Sequence, residues 1–100
     1  MRLFTVQTLS PSQKNALASL VSRCQDAEGL SLSFPFEEGS LFLFLEEKNN
    51  VWAAMAFTPL WEDAFECAAF TDPSRRREGL FSRLLRAGLS ALPGECDVYF

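Results

Sequence analysis

The segment Thr71 to Leu85, TDPSRRREGLFSRLL, sets three consecutive arginines, Arg75, Arg76 and Arg77, immediately before Gly79 and a run of leucines at helical spacing. A helix N-terminus already carries about half a positive charge from N–H groups that lack intrahelical acceptors. Cations crowded there are electrostatically misplaced unless an anion shares the site. Convergent backbone N–H groups, a glycine that admits a ligand close to the main chain and an arginine that adds charge together suit a diphosphate. A second reading needs no ligand: Asp72 caps a helix beginning at Pro73, and the arginines are solvated with Glu78 as partner. Just upstream, Glu66 is the lone carboxylate in the apolar run AFECAAF. Burial would raise its pKa toward that of a usable general base, whereas a solvent-facing Glu66 would be an ordinary surface carboxylate.

The rest of the composition narrows the chemistry. Histidine is absent, which removes the commonest general base, the usual zinc ligand and every Ser-His or Cys-His nucleophile. Cys24, Cys67 and Cys96 are odd in number and widely spaced, so they fit neither a disulfide framework nor paired metal knuckles; buried reduced thiols and no metal are expected. The net charge is −4, yet residues 75–100 hold five basic and three acidic side chains against four and ten in residues 1–74. An acidic chain disfavours nonspecific nucleic-acid binding, and the arginine triplet lacks the interleaved aromatics of an RNA surface. No nucleic-acid partner is expected, and the basic island suits one small polyanion.

One hundred residues with 48% hydrophobic content make a single domain, residues 1–100, with one core. The longest apolar runs, LFLFL and VWAAMAF, fall far short of the roughly 20 residues of a membrane span. The N-terminus has no basic segment followed by an apolar signal core. A soluble, cytoplasmic protein with no membrane partner is expected.

The elements that position the arginines are legible in outline. RLFTVQTL, Arg2 to Leu9, reads as a strand. Ser10-Pro11-Ser12-Gln13 supplies an N-cap, a proline at the first helical position and a capping-box partner, with Leu17, Leu20, Val21 and Cys24 as the buried stripe of a helix of about four turns. Gln25 to Gly39 reads as loop with a short helix. SLFLFLEE and VWAAMAFTPL read as two strands joined by a turn at Lys48-Asn49-Asn50, and the second should be covered on both faces because its apolar residues do not alternate with polar ones. AFECAAFT reads as a third strand. A helix over Gly79 to Leu92 follows, with Leu80, Phe81, Leu84, Leu85, Leu89 and Leu92 at helical spacing, then the start of a last strand in CDVYF. The order β-α-(loop)-β-β-β-α-β predicts an α/β (α+β) fold: an antiparallel meander, then a strand-helix-strand crossover to a parallel strand in one mixed sheet.

The segment Arg76-Arg77-Glu78-Gly79-Leu80-Phe81 resembles the acetyl-CoA loop of the GNAT family of N-acetyltransferases, a pattern of roughly [Q/R]-x-x-G-x-[G/A] between a strand and a helix. The element order and the preceding AAFTDP extend the resemblance over nearly the whole chain, Arg2 to Phe100. Phe81 departs from it, since glycine or alanine is usual there and a Phe side chain narrows the space beside the pyrophosphate. The resemblance implies a GNAT-like acetyl-CoA-binding domain that transfers acetyl to an amine by direct attack, with acetyl-CoA as cosubstrate. It implies cofactor contacts along Ala69, Phe70 and Thr71, where the strand splays from its neighbour and a pantetheine arm pairs with exposed backbone, and along Arg76, Arg77, Glu78, Gly79, Leu80 and Phe81. Glu66 is the candidate base, Cys67 faces the opposite side and belongs to the core, and Tyr99 approaches the site.

The usual fold of that family continues beyond a fifth strand. By the same resemblance its C-terminal elements are missing here, the domain is truncated, and the exposed last strand is a candidate pairing edge for a homodimer. The alternative function is a noncatalytic interaction module of the same fold, or a fragment that needs a partner segment, for which Phe81 and the missing elements speak. The amine acceptor is left open.

Overall fold

The computed structural model describes residues 1–29, 31 and 33–100. Its elements run β1 (Arg2–Val6), α1 (Pro11–Glu28), β2 (Leu41–Glu47), β3 (Asn50–Trp61), β4 (Ala64–Thr71), a 3-10 turn (Pro73–Arg75), α2 (Leu80–Ala91) and β5 (Asp97–Tyr99). The strands form one sheet in the order β1-β2-β3-β4-β5. The first three pairings are antiparallel and β4 pairs with β5 in parallel, as the element order predicts.

Helix α1 begins at a capping box. The Ser10 hydroxyl accepts from the Gln13 N–H at 3.2 Å, and the Gln13 Oε1 accepts from the Ser10 N–H at 2.7 Å. These reciprocal bonds satisfy two donors that the first turn leaves without partners. The helix extends to Glu28, further than its apolar stripe suggests, and stops at Gly29, whose φ of 66° places it in the left-handed region. Gly29 donates its N–H back to the Gln25 carbonyl at 2.8 Å, the hydrogen-bonded closure that glycine makes inexpensive. The short helix expected between Gln25 and Gly39 is therefore partly the end of α1; residues 36–38 form a turn, and Leu30 and Leu32 lie outside the described residues. Strand β1 is shorter than expected, ending at Val6, and Leu9 instead packs into the core.

Because successive strand residues point to opposite faces, the central strands feed two cores. Phe42, Phe44, Ala54 and Ala56 meet Leu17, Leu20, Val21 and Cys24 of α1. Leu43, Leu45, Met55, Phe57 and Cys67 meet Leu80 and Leu84 of α2. The apolar run Val51 to Phe57 is thus covered on both sides, which is why it shows no alternation. The sheet is a middle layer with one helix on each face.

The seam between α2 and the sheet departs from the leucine pattern. A Cβ added at Gly88 would come within 2.5 Å of Phe57 Cε2, so the helix lies close enough there that only glycine fits. The buried line is Leu80, Leu84 and Gly88, which leaves Leu89 and Phe81 exposed. The β2–β3 turn also shifts by one residue from expectation. Lys48 and Asn49 carry the positive φ angles, 54° and 66°, and Asn50 already pairs with Glu47, as a two-residue hairpin loop requires. Cys24 and Cys67 are buried as expected, but Cys96 is only half-buried.

Candidate functional site

Strands β4 and β5 part company early. Their register is Ala64 with Asp97, Phe65 with Val98 and Glu66 with Tyr99, and among the described residues no strand pairs with positions 67–71 on that side. The Asp72 N–H donates to the Trp52 carbonyl of β3 at 2.8 Å, which sets the phase of the β3–β4 ladder. Even-numbered residues of β4 turn their amide groups toward β3, so Cys67, Ala69 and Thr71 present theirs to the open side. Among the described residues the Thr71 carbonyl accepts from the Cys24 thiol and from Arg76 Nε, each at 3.4 Å. Phe70 has its amides toward β3, and its ring packs against Phe34 with centroids 5.9 Å apart.

The opened fork continues into a cleft of about 580 Å³, lined by Glu28, Ala69, Phe70, Thr71, Arg75, Arg76, Arg77, Gly79, Leu80, Phe81 and Ser82. Every cofactor contact expected from the sequence lies on this cleft except Glu78, whose carboxylate is held at 3.0 Å by Arg75. Glu28, Arg75 and Ser82 are additions. Glu28 could not be found locally, because it stands at the far end of α1 and reaches the cleft only through the fold.

The loop that closes the cleft is built in three short steps. Asp72 caps the 3-10 turn, accepting from the Ser74 N–H at 2.9 Å and the Ser74 hydroxyl at 2.6 Å. The chain then extends at Arg76, takes a left-handed turn at Arg77 with φ 68°, and enters α2 through Gly79 with φ 77°. The cap expected from the ligand-free reading therefore exists, but it serves one turn and not a continuous helix. Gly79 offers no side-chain cap, and the first intrahelical bond runs from the Arg83 N–H to the Gly79 carbonyl at 3.0 Å. The N–H groups of Leu80, Phe81 and Ser82 consequently have no acceptor within the helix, and all three residues line the cleft.

The three arginines have different surroundings. Arg75 bonds Glu78, approaches Glu47 at 3.6 Å and lies over the Trp52 ring at 5.0 Å. Arg76 Nη2 donates to Glu28 Oε1 at 2.6 Å. Arg77 is exposed and has no ion pair or hydrogen-bond partner among the described residues. Farther along α2, Arg83 and Arg86 are exposed, Arg83 reaching the Met1 carbonyl at 3.2 Å.

A buried carboxylate anchors the loop. Burial alone would raise the Asp72 pKa, but hydrogen bonds from Ser74 and Arg23, with the guanidinium charge, outweigh it and hold the carboxyl below its ordinary value.

Glu66 stands at the tip of the fork, exposed, on the α1 face of the sheet and outside the cleft lining. It lies opposite Thr58 on β3 and Tyr99 on β5. The Tyr99 ring contacts Trp61 with centroids 5.8 Å apart. Cys67 faces the other way into the α2 core, where burial pushes its thiol up to about 11. It is neutral at physiological pH and packs as an apolar group. Among the described residues no group of His, Cys, Asp and Glu is placed to hold a metal ion. Among the described residues no helix is long and apolar enough to cross a membrane.

The fold also matches solved acetyltransferases. A GNAT family acetyltransferase from Brucella melitensis, in complex with acetyl-CoA, matches with TM-score 0.73 over 93% of this chain and 70% of that one, at 19% identity. An acyl-CoA N-acyltransferase from Pseudomonas aeruginosa matches with TM-score 0.73 over 90% and 68%, at 14% identity. N-acetylglutamate synthase from Neisseria gonorrhoeae, complexed with coenzyme A and N-acetyl-glutamate, matches with TM-score 0.63 over 91% of this chain and 22% of that one, at 22% identity. No protein-family model matches the sequence, and no curated protein sequence does. The chain has the GNAT fold.

Proposed function

We propose that the cleft binds acetyl-CoA and that the chain transfers its acetyl group to an amine. The observation that carries this reading is that two sets of main-chain donors without protein acceptors meet on one cavity: the first N–H groups of α2, and the outward amides of β4 at Ala69 and Thr71. The first set suits a diphosphate, since N–H groups and helix dipole act on the same charge. The second suits an extended amide-bearing chain that substitutes for the departed β5 by pairing with a strand edge. Coenzyme A carries both chemistries, a diphosphate and a pantetheine arm with two amides. Glu66 and Tyr99 stand where the fork closes, about 17 Å of strand from Thr71.

Acetyl-CoA would supply the thioester, and direct attack forms the nitrogen–carbon bond as the carbon–sulfur bond breaks. The amine must be unprotonated to attack, and the departing thiolate must gain a proton. In this reading Glu66 takes a proton from the amine, and Tyr99, its partner across the β4–β5 pair, gives one to the thiolate. The open Gly79 position lets the diphosphate approach the loop backbone, because a left-handed glycine places no side chain there.

Phe81 favours a second reading. Its ring is 40% exposed beside the cleft and meets the Phe100 ring with centroids 6.3 Å apart, an apolar surface that a binding module would use. Thermal unfolding with acetyl-CoA and with free CoA separates the two. Saturable stabilisation is expected, since a ligand that prefers the native state raises its midpoint. Gly79→Glu should abolish it by placing bulk and negative charge at the diphosphate. No shift at millimolar ligand would exclude coenzyme binding and leave the interaction module.

A further inference from the structure

The basic cleft has a counterpart at the other end of β4. No lysine or arginine occurs between Lys48 and Arg75 or after Arg86, and these two stretches meet where the β3–β4 turn lies against the start of β5. Glu62, Asp63, Glu66, Glu95 and Asp97 gather there, all exposed. Asp97 donates its N–H to the Asp63 carbonyl at 2.7 Å, and Asp63, Glu95 and Asp97 line one shallow hollow of about 370 Å³. Elsewhere Glu28, Glu37, Glu47, Asp72 and Glu78 each meet a cation. Among the described residues the five carboxylates at this end meet none.

Aromatic rings stand among these charges. Residues paired directly across a sheet share a face, so Thr58, Glu66 and Tyr99 form one row on the α1 face, and Trp61, Ala64 and Asp97 form the next. The Trp61 ring, 62% exposed, meets the Tyr99 ring, 47% exposed, with centroids 5.8 Å apart. Leu60 beside them is exposed as well. Carboxylates alone would only keep the chain soluble. Rings set beside carboxylates attract a cation through both quadrupole and charge. A lysine or arginine suits both at once, its stem on the ring and its head on the carboxylate.

The spread of the charges selects the occupant. The two rows lie two residues apart, about 7 Å along the strand, and the turn with Glu62 and Asp63 lies beyond them. One ammonium reaches only part of that span, and the surface is too open to enclose a small molecule. An extended polypeptide repeats side chains on one face at the same spacing of about 7 Å. We propose that this acidic, aromatic end of the sheet docks a basic polypeptide segment, and that the amine acceptor is a lysine of that segment, presented to Glu66 at the tip of the fork. The docking stands on the structure alone, and the acceptor role rests on the acetyl-transfer reading.

The experiment measures binding of a capped peptide of alternating lysine and alanine by calorimetry, at low and moderate salt, and its acetylation from acetyl-CoA by mass spectrometry. The wild type should bind the peptide, more weakly as salt rises. Trp61→Ala, Asp63→Lys and Asp97→Lys should each weaken binding about fivefold, the scale of one exposed cation–π contact or ion pair, and raise KM for the peptide with kcat unchanged. Asp26→Lys makes the same charge reversal at an exposed position near the end of α1 and should change neither. The two reversals at Asp63 and Asp97 lie on exposed side chains, so they decide the matter even if Trp61→Ala fails to fold. No binding by the wild type, unchanged affinity in both reversals, equal weakening by Asp26→Lys, or spermine binding as tightly as the peptide would each overturn the docking, the last by replacing the polypeptide with a small polyamine. A peptide that binds but is not acetylated by a chain that binds CoA removes the acceptor role alone. If the chain ignores CoA while binding the peptide, the coenzyme reading and the acceptor role fall together and the docking stands.

Discussion

Arg23 Nε donates a 2.6 Å hydrogen bond to Asp72 Oδ2, tying helix α1 to the residue that follows β4. The same guanidinium donates to the Val51 carbonyl at 2.7 Å and the Ser19 hydroxyl at 3.0 Å, and it lies 5.8 Å from the Trp52 ring. Asp72 in turn holds Ser74 through its other oxygen. One side chain from α1 thereby sets where the arginine loop begins, and the direction of the α2 N-terminus follows from it. A continuous helix from Pro73 would have used up those amides. The capped turn and the two left-handed residues keep them available for the cleft.

Removing Arg23 should be costly for a specific reason. Asp72 is only 4% exposed, so Arg23→Met leaves a buried carboxylate without its cation. Losing one partner of a fully buried pair costs roughly 3–5 kcal/mol, and because the Arg23 side chain is 35% exposed we expect about 2 kcal/mol. Urea unfolding measures this directly. A change below about 0.5 kcal/mol, the scale of ordinary surface substitutions, would show that the pair does not hold the loop.

The same carboxylate predicts an acid limb in stability. Its folded pKa lies below the ordinary 3.8, so the unfolded chain takes up the proton first. Its contribution is complete above that ordinary value and is lost as pH falls through the lower folded value. Asp72→Asn should reduce stability at neutral pH and flatten the decline below about pH 3.8 relative to wild type. Parallel acid titrations of the two proteins would argue against a depressed Asp72.

Gly88 offers a test of packing independent of the site. A methyl group there would meet the Phe57 ring at 2.5 Å and 2.8 Å, and Phe57 is fully buried beneath it. The helical preference of alanine over glycine would stabilise Gly88→Ala by about 1 kcal/mol if the space were open. Overpacking costs roughly 1–3 kcal/mol and should win. The expected result is a lower unfolding midpoint, and a higher one would mean that α2 shifts away from the sheet without penalty.

What the sequence revealed follows the range of the forces involved. The capping box at Ser10 and Gln13 and the order of strands are local or periodic, and both are readable; the last turn of α1, up to Gly29, reads as loop because its apolar stripe ends at Cys24. The leucine spacing of α2 does not mark its seam, because only the contact with Phe57 shows that Gly88 is where helix and sheet meet. The turn was misplaced onto Asn50 because Lys48 adopts a left-handed conformation that its side chain does not advertise. In the cleft, the motif spacing located Gly79 and the free α2 amides, since those depend on neighbouring residues. The partners of the arginines lie outside the segment: Glu28, Glu47 and Arg23 reach it through the fold, and no spacing within residues 71–85 points to them.

Glu66 carries the sharpest prediction about chemistry. It is exposed, so nothing in its surroundings marks it as a base, and its case rests on position: it is the last residue of β4 paired to β5, opposite Tyr99, at the closed end of the fork. A ligand lying along Thr71 and Ala69 would bring its reactive end toward that pair. If Glu66 takes the proton of the attacking amine, Glu66→Gln should lower the acetyl-transfer rate by roughly 10²- to 10⁴-fold near neutral pH, leave CoA affinity intact and move the acidic limb of the pH–rate profile up to the pH at which the amine loses its proton unaided. Tyr99→Phe should slow the reaction with the acidic limb retained, because the tyrosine would act on the leaving thiolate. The loss in the Gln variant should shrink at high pH, where the amine is already neutral and a base has least to do; there its rate should approach that of the wild type. A uniform loss across pH would point to amine positioning, and an unchanged profile would move the base elsewhere.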